Sequence, residues 1–196
     1  MKTRQRYFVA ALCLTLSATG CSTSPDPLLY TIAPVSGPEH SGAPNIVLLQ
    51  QIGLERYLDR LQIVHSSENY RLEVMANDQW GEPLGAMLGR ILTTELGQRL
   101  PRSAVIKETG AVSASPDATV AVNVERLDED SSGVLVLQAQ ASVIFKGRAN
   151  PVLRGFRFTV PPSGPGTAAE VAAISTAIGQ LADGIAAMLA SAPPKA

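Results

Sequence analysis

Side chains able to do covalent or acid–base chemistry are scarce in this 196-residue chain, which has two cysteines and two histidines. Histidine changes charge near neutral pH and is the usual proton carrier of active sites. Here His40 falls in the Pro/Gly-rich stretch 34–44, and His65 ends an apolar run beside Ser66 and Ser67. Neither accompanies a G-x-S-x-G nucleophile elbow. Asp128-x-Asp130-x-Ser132-Gly133 has the spacing that opens an EF-hand loop, but the twelfth position, which must supply a bidentate Glu, is Ala139. The run therefore reads as a polar hairpin turn. Gly164-Pro165-Gly166 precedes a helical stretch without either phosphate-binding glycine pattern. The expectation is no catalytic residue, no metal site and no cofactor.

The cysteines carry a clearer signal. A thiolate is the one strong nucleophile available near the N-terminus. Cys21 sits behind a basic segment (Lys2, Arg4, Arg6), an apolar run from Tyr7 to Ala18, and small residues Ala18, Thr19 and Gly20. The apolar run is shorter than the roughly 20 residues needed to span a bilayer and suits the core of a signal peptide. The arrangement resembles the lipobox of bacterial lipoproteins, with Ala18 where leucine is usual. Residues 1–20 are thus expected to be a cleaved signal peptide, with Cys21 the lipidated new N-terminus. Residues 21–27 then form a tether, and 28–192 a single domain. Cys13 leaves with the signal, so the mature domain has no disulfide. Ser22 follows the cysteine where the inner-membrane retention signal of enteric bacteria has Asp, which points to the outer membrane, facing the periplasm.

Cleavage also changes the charge. Removing Lys2, Arg4 and Arg6 takes Lys+Arg from 16 to 13 against 17 Asp+Glu, a formal charge of −4. An acidic chain is poorly suited to nucleic acid and gains nothing from anionic head groups. Membrane attachment falls to the lipid.

The elements that would position these residues follow from periodicity. Leu28–Ala33, Asn45–Gln51, Gln62–His65, Arg71–Ala76, Ala104–Lys107 and Phe156–Val160 read as strands. Ala118–Leu127 and Val134–Phe145 alternate cleanly around a polar turn and form the clearest hairpin, expected at the centre of the sheet. Leu84, Leu88, Ile91, Leu92 and Leu96 mark a helix over about 82–100, with Asp78 a cap just upstream and Pro101 its stop. Ala104–Lys107 after that helix fits a β-α-β crossover. Val171, Ile174, Ile178, Leu181, Ile185 and Leu189 mark a second helix over 167–190, with Thr167 and Glu170 spaced as a capping box. The fold class is α+β in two layers: a mostly antiparallel mixed sheet with both helices on one face. Gly81, Gly85 and Gly89 recur every four residues, on one helical face. Each costs about 1 kcal/mol against alanine in a helix interior. Either the domain's own sheet or a subunit contact would account for that.

The segment Tyr57–Leu84, YLDRLQIVHSSENYRLEVMANDQWGEPL, resembles the signature of the PqiC family of ABC-type transport auxiliary lipoproteins. Tyr57, Leu58, Asp59, Arg60, Gln62, Ile63 and Val64 match one motif; Arg71, Leu72 and Glu73 match a second. Asp78, Trp80, Glu82, Pro83 and Leu84 match a third, and Tyr30–Pro34 resembles the opening strand. Leu61, Ser66 and Gln79 depart from the pattern, where proline, arginine and arginine are expected. The resemblance implies a non-catalytic adaptor with an MCE-domain protein of an ABC-type intermembrane lipid transporter as partner. Assembly into a homo-oligomeric ring would match the ring-forming MCE proteins. Trp80 is expected in the core. The alternative is a carrier that holds a lipid or small apolar ligand in its own cavity, which would require an enclosed apolar space of several hundred Å³.

Metabolic labelling with a palmitate analogue is expected to mark the wild-type protein and leave Cys21→Ser unlabelled; label retained in that variant would overturn the lipidation site.

Overall fold

The computed structural model describes residues 26–112 and 114–191. Cys21, the signal segment and residues 22–25 of the tether lie outside them. Along the chain run β1 (Leu28–Tyr30), β2 (Ile46–Leu49), β3 (Gly53–Leu54), β4 (Gln62–Ser66), β5 (Glu73–Trp80), α1 (Leu84–Arg99), β6 (Ala104–Lys107), β7 (Ala118–Glu129), β8 (Leu135–Phe145), β9 (Val152–Val160) and α2 (Thr167–Ala190). The strands make one nine-stranded mixed sheet, and the fold is α+β.

β7 is its spine. Along one edge it pairs antiparallel with β8 from Ala118↔Phe145 to Glu129↔Leu135, and β8 pairs in turn with β9. Along the other edge three short strands follow one another, all parallel to it: β2 from Ala118, β3 at Asn123 and Val124, and β4 at Glu129. β6 lies parallel outside β2. β5 lies antiparallel outside β4, and β1 parallel outside β5. The long ladders are antiparallel; the parallel contacts are short. The hairpin β7–β8 occupies the centre, as its alternation predicts, because both strands are bonded on both edges.

Both helices lie on one face of the sheet and against each other, α1 over β6 and α2 over β8 and β9. Their apolar stripes face inward: Leu84, Leu88, Ile91, Leu92 and Leu96 of α1 and Val171, Ile174, Ile178, Leu181, Ile185 and Leu189 of α2 are all buried. α2 has a mean hydropathy of 1.4 over its most apolar window, enough by composition to cross a membrane, but 67% of that window is buried in the domain. Its apolarity is spent on the sheet. The approach is close: a Cβ at Gly184 would strike the Phe156 ring of β9. At Gly179 a Cβ would lie 3.0 Å from Cβ of Val35.

One buried charge sits where the helices meet. Arg99 is 1% exposed. Its Nε donates to Asp183 Oδ1 at 2.5 Å, Nη1 to the carbonyls of Val35 (3.0 Å) and Glu95 (3.2 Å), and Nη2 to the carbonyl of Gly179 (3.1 Å). A single guanidinium thus ties α1 to α2 and to the loop after β1. Glu95, one turn earlier and fully buried, accepts from the Val35 amide at 2.7 Å.

Several local expectations are corrected. β5 continues to Trp80 and α1 starts at Leu84 behind Pro83, so Asp78 is a strand residue; its carboxylate accepts instead from Thr167 Oγ1. Gly81 therefore precedes the helix and does not share a helical face with Gly85 and Gly89. No capping box forms at α2: its N-cap is Gly166, at φ 92°, and Glu170 turns to His65. β6 takes β2 as its parallel neighbour, not the strand immediately before α1, because β4 and β5 are drawn to the far end of β7.

Arg99→Met is expected to lower the unfolding free energy by about 2–3 kcal/mol, since it strips donors from buried carbonyls while Asp183 can still reach water. Urea denaturation checks this as a lower midpoint at unchanged slope. Burial pushes the Glu95 carboxyl up to about 7, against the lowering effect of the Val35 amide and Arg99. The folded state therefore keeps that proton to higher pH than the unfolded chain. The associated stability is complete below pH 4.5 and is lost as pH rises through 7. Glu95→Gln should flatten the stability profile over that window by about 3 kcal/mol, read from denaturation midpoints.

Candidate functional site

Most residues of the sequence signature serve the fold. Leu58, Ile63, Val64, Trp80 and Leu84 are buried. The Trp80 amide donates to the Leu61 carbonyl at 2.7 Å, so the tryptophan is a core residue that closes the β4–β5 pair. Glu82 accepts from Arg90 Nε at 3.0 Å, and Pro83 is the N-cap of α1. Asp59 and Arg60 are exposed, and Gln62 is half-buried. Tyr57 does more: its hydroxyl donates to Asp128 Oδ2 at 2.9 Å. Burial, and then the Asp128 charge, hold its phenol well above the usual range.

Asp128 is reached because β7 changes phase. Its inward residues are Ala118, Val120, Val122 and Val124, paired with Phe145, Val143, Ala141 and Ala139. A bulge between Val124 and Arg126 inserts one extra residue, Glu125, and the inward set continues as Leu127 and Glu129, opposite Leu137 and Leu135. Arg126 and Asp128 are sent to the opposite side. There Arg126 Nε donates to Asp128 Oδ1 and its Nη2 to Glu68 Oε1, each at 2.7 Å. Asp130 then closes the hairpin, its Oδ1 accepting from the amides of Ser132 (2.9 Å) and Val134 (3.2 Å). That is the plain turn expected from the sequence.

On the helix side Glu129 meets His65 and Glu170. His65 Nδ1 lies 2.9 Å from Glu170 Oε2, and its Nε2 lies 3.8 Å from Glu129 Oε2. One atom from each residue falls within 4.8 Å of the others. Glu170 is 1% exposed, and its second oxygen has no hydrogen-bond partner. Burial pushes its carboxyl up to about 7, in spite of His65. Burial raises Glu129 as well. Burial alone would lower His65, but the hydrogen bond to Glu170 and the charges of Glu170, Glu129 and Glu73 outweigh it and raise the imidazole. The sequence reading, which expected no clustered ligands, missed this group. Its members stand far apart along the chain, and the one local signal is that Glu170 precedes Ile174 and Ile178 at four-residue spacing, on the apolar stripe.

Among the described residues, two of the open clefts bear on these groups. One, of about 430 Å³, lies beside this cluster and is lined by His65, Met75, Glu129, Gly133, Glu170 and the loop Pro162–Gly166. The other, of about 290 Å³, runs between the start of α1 and the β2–β3 edge and mixes Ile52 and Leu54 with Gln50, Asp59, Lys107 and Glu108. Gly85 and Gly89 lie on its wall, where added Cβ atoms would meet the Ile52 carbonyl at 3.5 Å and Ile52 Cγ1 at 3.8 Å, ordinary contacts. Neither cleft is an enclosed apolar chamber.

The β4–β5 hairpin ends in an unusual tip. Asn69 and Tyr70 both have positive φ, 55° and 62°, as a type I′ turn requires, and the Arg71 amide closes it on the Glu68 carbonyl at 3.1 Å. Tyrosine seldom adopts this conformation. Here it holds the Tyr70 ring fully in solvent, with Leu72 exposed beside it.

Residues 28–186 match the family model of the ABC-type transport auxiliary lipoprotein component. No curated protein matches the chain. Among solved structures, protein XCC0632 from Xanthomonas campestris, assigned to DUF330, superposes with TM-score 0.71 at 19% identity, over 83% of this chain and 94% of that one. An uncharacterized protein superposes with TM-score 0.70 at 18% identity, over 84% of this chain and 99% of the other. These likenesses carry the fold.

Proposed function

Because the chain belongs to the family of ABC-type transport auxiliary lipoproteins, we propose that it is a non-catalytic adaptor, anchored through lipid on Cys21 in the outer membrane and facing the periplasm. Its partner in this reading is an MCE-domain protein of an intermembrane lipid transporter that supports envelope integrity. The family match over nearly the whole described domain carries the proposal. The packing of the interior supports it over the carrier reading: among the described residues the core beneath both helices is almost wholly inaccessible, and neither cleft described above is an enclosed apolar space for a lipid. Function then falls to the surface, because a lipid anchor buries apolar area without choosing a partner.

The exposed Tyr70 and Leu72 of the β4–β5 tip are the apolar anchors of the partner contact in this proposal. An exposed aromatic held out on a turn is the kind of side chain that dominates interface energies. The Gly85–Gly89 wall is proposed as the subunit contact of a ring, where matched symmetry would multiply weak contacts.

The lipidated protein, extracted in detergent from its own envelope, should co-purify the co-encoded MCE protein. Tyr70→Ser with Leu72→Ser should reduce that recovery by about tenfold or more, in keeping with loss of an aromatic anchor, while leaving the thermal unfolding transition in place. A well-folded wild type that brings down phospholipid and no envelope protein would sink the adaptor and favour the carrier.

A further inference from the structure

The His65–Glu129–Glu170 cluster is more than an internal ion pair. Its three side chains come from three elements: the end of β4, the end of β7 and the first turn of α2. Around it, charge is not balanced. Arg126 is committed to Asp128 and Glu68. Among the described residues, the ion-pair partner of both Glu129 and Glu170 is the single imidazole of His65. With both carboxyls ionised, even a protonated His65 leaves one negative charge over. A buried carboxylate oxygen without a donor is costly to keep, and Glu170 has one such oxygen. The fold keeps this arrangement at the wall of an open cleft, where an ion and its water can enter.

We propose that His65, Glu129 and Glu170 form a binding site for a divalent transition-metal ion, best suited to Zn²⁺. Ligand distances of about 2.0–2.2 Å put the donors of a tetrahedral zinc site about 3.4 Å apart. At present Nδ1 of His65 lies 2.9 Å from Glu170 and the opposite ring nitrogen, Nε2, 3.8 Å from Glu129, while one ligand atom from each of the three residues already lies within 4.8 Å of the others. Closing the site takes a rotation of His65 that brings one ring nitrogen between the carboxylates. Two carboxylates and a neutral imidazole balance a 2+ ion. The mixed nitrogen–oxygen set favours zinc over the all-oxygen sites of calcium or magnesium. Three protein ligands leave a fourth position open toward the cleft. Bound metal would pin α2 to the β4 and β7 ends.

Detergent-extracted full-length protein, stripped with a chelator, should take up one Zn²⁺ per chain with a dissociation constant of about 1 μM or below by calorimetry. Zinc should raise its melting temperature, and Co²⁺ should give the visible absorption of a four-coordinate site. His65→Ala and Glu129→Gln should each weaken binding by about a hundredfold, since even outer-shell partners contribute roughly 10–100-fold. Glu129 is at the cleft edge, so its variant should keep the wild-type circular dichroism spectrum if Glu170→Gln fails to fold. His40→Ala should bind as wild type. A folded wild type that takes up no stoichiometric zinc overturns the site. So does binding that survives in His65→Ala and Glu129→Gln, or that disappears in His40→Ala.

Discussion

Everything in this domain hangs on β7 remaining paired along both edges while changing phase once. Twelve residues give it room for β2, β3 and β4 in succession on one side and for all of β8 on the other. A strict two-residue period would carry Val124 to Arg126 and Asp128 on the core face, beneath the helices. The extra residue at Glu125 prevents that, handing the inward positions to Leu127 and Glu129. A bulge disrupts one rung of the ladder and bends the strand. In return the apolar face stays continuous, and the charges divide into two groups: Arg126 with Asp128 on one side, Glu129 with His65 and Glu170 on the other.

How much of this could be read from the sequence depends on the range of each interaction. The hairpin of β7 and β8 was legible because alternation is local, and the two helices because their stripes recur within single segments. The helix starts were misread for a local reason that lost to a distant one. Asp78 has the right chemistry for a cap, but pairing with β1 and β4 extends β5 through it to Trp80. Thr167 and Glu170 have capping-box spacing, but Glu170 is drawn to His65, 105 residues away. The β-α-β reading left the first strand open: α1 does lead into a strand with a parallel neighbour, that neighbour is β2, and no spacing rule reports it. The fourfold glycine repeat misled at its first member, since Gly81 belongs to the turn before the helix.

The charged residues that matter most did leave a local trace. Glu95 and Arg99 lie on the α1 stripe with Leu88, Leu92 and Leu96, and Glu170 lies on that of α2 with Ile174 and Ile178. A charge at such a position must be buried, and a buried charge must be answered. The stripe identifies the obligation; only the fold identifies the partner, because Asp183, Gly179 and Val35 for Arg99, and His65 for Glu170, come from other segments.

The two buried polar groups answer that obligation differently, and the difference separates structure from function. Arg99 is fully engaged: its donors reach four acceptors on two helices and a loop, and it lines neither cleft described above. Such a group fixes how α1 and α2 seat on the sheet, which matters in a domain without a disulfide to hold it. The Glu170 cluster is under-satisfied, with an excess of carboxylate, one oxygen without a partner and a cleft beside it. Folding alone gives no reason to keep such a group, since an apolar replacement of similar volume is often as stable or more so. Its residual demand for positive charge is directed at something that enters from outside. By the same logic, Tyr70 is held in solvent on a turn that tyrosine seldom favours, an exposure that packing does not explain. Glu95 also keeps a buried oxygen without a partner, but it lines neither cleft; the Glu170 cluster beside its cleft and Tyr70 on its turn are where the proposed adaptor would meet what comes from outside.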